Sequence, residues 1–165
     1  MLAGGLLSGV VLGTLSGLSA PLPVSWRYAA VVAVALLGVL RDAKVVSIPL
    51  PQNARQVPQD VLRPSPRRGA LQFGFELGTG VRTYLSATAP YVLAVAVLLA
   101  GQRLQLAALA GVGFGAGRAV TPLIRRASGA VEGWDADLPA RLGTITVTGC
   151  AALAAAFALL FLPQL

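Results

Sequence analysis

The chain has 165 residues, 56% hydrophobic and 12% charged, with a formal net charge of +7 and no histidine. A water-soluble domain carries roughly 25% charged residues, so this composition excludes an ordinary soluble fold and describes a surface that meets lipid. The basic excess fits membrane loops rather than nucleic acid, for which no soluble scaffold presents a basic face, and the missing imidazole removes the commonest general base and metal ligand.

The expected fold is all-α: one polytopic transmembrane domain over residues 1–165. About five helices are expected, near 2–20, 24–40, 70–100, 104–120 and 142–162, with cytoplasmic loops 41–69 and 121–139.

The first apolar run, Leu2 to Ala20, carries Gly5, Gly9, Gly13 and Gly17 at a spacing of four. In a soluble helix each glycine would cost about 1 kcal/mol relative to alanine. In lipid the same spacing gives a glycine zipper, a smooth face on which another helix backbone can lie. Leu18-Ser19-Ala20 looks like a signal cleavage site, but no Lys or Arg precedes the run and Pro21 follows it, so the reading is a retained helix. Pro21, Pro23 and Trp26-Arg27-Tyr28 form an interfacial turn, and the second span then runs to Leu40.

The connector 41–69 holds Pro49, Pro51, Pro58, Pro64 and Pro66, which exclude a long regular helix. Arg41, Lys44, Arg55, Arg63, Arg67 and Arg68 outnumber Asp42 and Asp60, so the loop is assigned to the cytoplasm. The N-terminus is then cytoplasmic as well.

Ala70 to Ala100 is too long for one span. As a continuous helix it would reach ~46 Å, against a hydrocarbon core of ~30 Å. Gly78, Gly80 and Pro90 supply breakers, so this third helix is expected to bend or partly re-enter. The fourth run, from Leu104, repeats the small-residue spacing with Ala107, Gly111 and Gly115, and the fifth run becomes Ala/Leu-rich after Thr148.

Ionisable residues inside an apolar run are functional candidates by default. Here they are Glu76, Arg82 and Arg118, with Thr79, Tyr84, Thr88 and Pro90 around them. Glu76 and Arg118 are expected near one level, as an ion pair that either locks two helices or belongs to a substrate site. Arg82 lies near mid-membrane, and its alternatives are snorkelling, a substrate anion, or an acid from a partner. Cys150 is the only cysteine, so neither an internal disulfide nor a CxxC pair exists, and it reads as a small packing residue. No metal cluster or catalytic triad is present, no cofactor is implied, and the chain is expected not to be an enzyme.

Phe73-Gly74-Phe75-Glu76-Leu77-Gly78-Thr79-Gly80, then Ser86-Ala87-Thr88-Ala89-Pro90, resembles the broken helix of the DsbD/CcdA-like cytochrome c biogenesis transmembrane family, relatives of the LysE-type exporters. Phe114-Gly115-Ala116-Gly117-Arg118 before Pro122 is similar to a later helix of that family, and the likeness covers Gln72 to Pro122. It implies an inverted-repeat scaffold with alternating access. Where the family carries its reactive cysteine this chain has Ser86 or nearby small residues, and Cys150 lies in a different run, so the resemblance implies that the dithiol chemistry is absent.

Two functions follow as expectations. One is a small transporter-like protein for an anionic or thiol-containing solute. The other is a non-catalytic subunit whose partner is another membrane protein or a second copy of the chain. The Arg-rich, Lys-poor bias suggests a bacterial plasma membrane.

Overall fold

The computed structural model describes residues 1–50, 66–80, 87–101, 103–129 and 131–165. Among these residues six α-helices follow in chain order: α1 (Leu2–Leu15), α2 (Val24–Asp42), α3 (Pro66–Thr79), α4 (Ala89–Leu99), α5 (Leu104–Ala127) and α6 (Val131–Phe161). A 3-10 turn, Ser16–Ser19, extends α1, and no strand occurs among the described residues. The protein is an all-α, polytopic membrane protein.

Among the described residues four stretches are long and apolar enough to cross a bilayer: Leu2–Ser19, Val24–Asp42, Leu104–Ala127 and Gly133–Gln164. The third helix, expected over 70–100 as bent or partly re-entrant, is described as two shorter helices, α3 and α4. α3 starts at Pro66, inside the expected connector, because proline at a helix start loses no hydrogen bond. Gly80 is left-handed at φ 70°, a backbone state glycine enters without a Cβ clash, and it follows directly on the last residue of α3. α4 then opens on Ala89-Pro90, with the proline again in a first turn.

A second correction concerns 121–139, which is mostly helix rather than loop. α5 continues through Pro122 to Ala127, and α6 begins at Val131 and runs through Pro139. Neither proline ends its helix, because each removes one backbone donor that neighbouring groups or water can replace. The charges in this region sit on helix ends. Arg125 and Asp135 form a two-pronged ion pair across the short turn, with Nε to Oδ1 at 2.8 Å. α2 likewise runs two residues past the expected Leu40, to Asp42.

The helices sort by number. α1 packs on α5 and α3, and α2 packs on α6 and α4. α4 also touches α1 and its 3-10 turn, which joins the two packs.

In the first pack the backbones meet directly. A Cβ on Gly5 would strike the Gly111 carbonyl oxygen, and one on Gly9 would lie 3.1 Å from the Gly111 Cα. One on Gly115 would stand 2.7 Å from the Met1 carbonyl oxygen. α1 and α5 therefore run antiparallel, since Gly13 faces Leu104 and Ala107 at the other end. α3 lies against the start of α1, where Gly4 faces the Phe75 carbonyl and Thr79 N, and Gly78 faces Met1. A Cβ on Gly17 would meet nothing within 4 Å.

The second pack is built from side chains. Val31, Ala96, Ala100 and Phe161 form one buried cluster, and Ala35, Val92, Cys150 and Ala154 another. Tyr28 stacks on Phe161 at 4.5 Å between ring centres. Outward-facing Leu6, Leu36, Leu109 and Leu159 remain exposed, as lipid-facing positions should.

Candidate functional site

The most tightly arranged polar group lies where α2 ends and α4 begins. Asp42 is the last residue of α2, and its side chain is only 1% accessible. A carboxylate buried to that degree is costly unless donors surround it. Three do. The backbone N–H of Thr88 donates to Oδ2 at 3.0 Å, the Thr88 hydroxyl donates to Oδ1, and Arg41 Nη1 donates to Oδ1 at 3.0 Å. Arg41 also reaches the Thr88 hydroxyl oxygen at 3.2 Å, and its Nε donates to the Ile48 carbonyl at 3.1 Å.

Local chemistry explains the placement. Thr88 caps α4, so its N–H has no partner within that helix, and the positive end of the helix dipole favours an anion there. Asp42 supplies that anion from another helix. Gly38, one turn earlier on α2, lets the helices close: a Cβ there would stand 3.0 Å from Thr88 Cγ2, Val92 Cγ2 and Cys150 Sγ. Cys150 itself is a buried free thiol, 4.0 Å from the Ala35 carbonyl oxygen.

The residues singled out from sequence are dispersed. Thr88 joins the Asp42 cluster, and Pro90 lies in the first turn of the helix that Thr88 caps. Glu76 lies half-buried on α3, where Gln72 Nε2 donates to it at 3.0 Å. Thr79 ends the same helix; its hydroxyl donates to the Glu76 carbonyl at 2.8 Å, and its own carbonyl accepts from Ser8 at 3.0 Å. Arg118 lies over the Phe114 ring, 5.7 Å from its centre. No ion pair joins Glu76 to Arg118, so the expected interhelical bridge is corrected to a cation–π contact within α5. Arg82 and Tyr84 lie outside the described residues.

Sequence reasoning missed Asp42 because an adjacent Arg-Asp pair at the end of an apolar run reads as the start of a solvated loop. The available signal was Thr88-Ala89-Pro90, a helix-start pattern whose capping position needs an acceptor. No group of three His, Cys, Asp or Glu residues that could hold a metal occurs among the described residues.

The chain matches no protein-family model, no curated protein and no solved structure.

Proposed function

We propose that this protein is a small, non-enzymatic transporter of the bacterial plasma membrane that moves a small anionic or thiol-containing solute, with its N-terminus in the cytoplasm. The scaffold is of the DsbD/CcdA and LysE type, without dithiol chemistry. The observation that carries this reading is the interruption between α3 and α4, with the second half-helix starting on a carboxylate held from α2.

Interrupted membrane helices present free backbone groups, and a half-helix N-terminus suits an anion. In this reading Asp42 fills the anion position of the empty protein. A solute carboxylate or thiolate displaces it from the Thr88 N–H and hydroxyl, and Arg41 retains Asp42 as it moves. Glu76 on α3 and Arg118 on α5 are the further polar candidates for the pathway.

The test is uptake of labelled anionic and thiol solutes into liposomes holding the purified chain. Thr88→Val should lower uptake about tenfold or more, a loss of roughly 1.4 kcal/mol in the rate-limiting interaction, whereas Asp42→Asn, which weakens the competing anion, should lower the solute concentration at half-maximal uptake. Both should leave a monodisperse protein. If no solute of the panel crosses faster than through empty liposomes, transport is rejected.

A second reading, a subunit of a larger complex, is favoured by the open small-residue positions Gly113 and Gly117 on α5, where a Cβ would meet nothing within 4 Å. A stoichiometric partner, identified by mass spectrometry after mild solubilisation of native membranes, would favour it over transport.

A further inference from the structure

The end of α2 carries a backbone feature that the Asp42 cluster does not require. The N–H groups of Val45 and Val46 both turn back to the Leu40 carbonyl, at 2.9 and 3.4 Å, and close the helix. Lys44 provides the turn with φ 61°, the one positive φ outside glycine among the described residues. Glycine or asparagine ordinarily takes this position, because a longer side chain is strained there. Here it holds the only lysine of the chain.

Lys44 lines a cavity of about 440 Å³ between the end of α2, the following turn and α6. Charge within it sums simply. Arg41 and Asp42 also line it, but they pair at 3.0 Å, and both Asp42 oxygens are already taken. Lys44 forms no ion pair with any described residue, so it adds one net positive charge. Ser47 adds a hydroxyl without a partner among the described residues. Leu142 contributes an apolar wall and is itself exposed, as are Leu40 and Ile145, the chain neighbours of the lining residues Arg41 and Thr146.

A pocket with one surplus cation and a hydroxyl, walled by an exposed leucine at the end of a membrane helix, suits a singly charged head on apolar tails. We propose that this cavity binds the phosphodiester headgroup of an anionic phospholipid, with Lys44 as its cation and Ser47 as a hydrogen-bond donor. The same phosphate chemistry occurs in free inorganic phosphate, and the apolar wall favours the lipid. The inference stands apart from transport, since neither Lys44 nor Ser47 belongs to the α4 start.

Because Lys44 is the only lysine, its reactivity reports the site directly. The full chain, stripped of lipid in mild detergent, is treated with an amine-acylating reagent and the Lys44 peptide is followed by mass spectrometry. Phosphatidylglycerol should slow Lys44 acylation by about fivefold, the effect of one basic residue at an anionic surface, and phosphatidylcholine should leave it nearly unchanged. Equal protection by both lipids overturns the headgroup assignment. Equal protection by inorganic phosphate at the same concentration overturns the lipid source. Lys44→Gly suits the left-handed turn, so the protein should stay folded while phosphatidylglycerol adducts in native mass spectra fall about fivefold. Unchanged adducts would reject the site.

Discussion

In the α1–α3–α5 pack the backbones themselves touch, whereas in the α2–α4–α6 pack valine, cysteine and phenylalanine side chains fill the space between helices. The difference reflects what lipid leaves available. Apolar side chains gain little by leaving hydrocarbon, so a membrane helix pair needs either very close approach or a polar bond. The first pack uses close approach, at Gly5, Gly9 and Gly111. The second adds polar bonds, from Asp42 to Thr88 and Arg41. One pack should therefore fail when a methyl group is added, and the other when a hydrogen-bonding group is removed.

The largest effect is expected at the polar bond. Asp42→Ala strands the Thr88 N–H and takes one acceptor from the partly exposed Arg41 guanidinium, which keeps the Ile48 carbonyl and the Thr88 hydroxyl. A loss of about 2–4 kcal/mol follows, read as a lower denaturation midpoint in detergent. An unchanged midpoint would mean that the second pack rests on its apolar clusters alone.

Gly111→Ala comes next. Its Cβ would meet the Gly5 carbonyl oxygen and stand 2.9 Å from the Gly9 Cα, and backbone cannot rotate aside as a side chain does. About 1–3 kcal/mol should be lost, visible as reduced folded yield on size-exclusion chromatography. Gly113→Ala is the matched control two residues along the same helix. With nothing within 4 Å it should cost nothing, and the higher helix propensity of alanine should raise the thermal midpoint slightly. A loss there in native membranes, but not in detergent, would reveal a neighbour on that face.

A smaller change is expected from Cys150→Ala. The thiol is fully buried against Ala35 and Val92, and its removal leaves a methyl-sized gap worth about 1 kcal/mol. Cys150→Ser should cost more than alanine, because its hydroxyl sits in an apolar cluster. Comparing the two by thermal unfolding separates packing from polarity in the second pack.

Much of the helix plan is legible in the residues. Composition, apolar run length and the breakers at Gly78 to Pro90 lead to an all-α membrane protein with an interrupted third segment. The ends of the runs were less legible. Charged residues near 125 and 135 look like a loop, yet a helix can carry charge once it leaves the hydrocarbon, and the two residues pair across a turn. The candidate site was less legible still. Thr88 stood out for its position before Pro90, but its partner lies 46 residues away and looks like an ordinary loop acid.

The sequence by itself determined the solvent and where along the chain the apolar spans lie, because hydrophobicity and helix breaking are properties of local stretches. Tertiary structure alone decided that odd-numbered helices pack with odd and even with even, and that Asp42 rather than Glu76 is the buried acid of a three-donor cluster. The reason is physical. In lipid every apolar face is equally well solvated, so neighbours are chosen by steric fit between backbones and by a few polar bonds, and both depend on residues far apart in the chain.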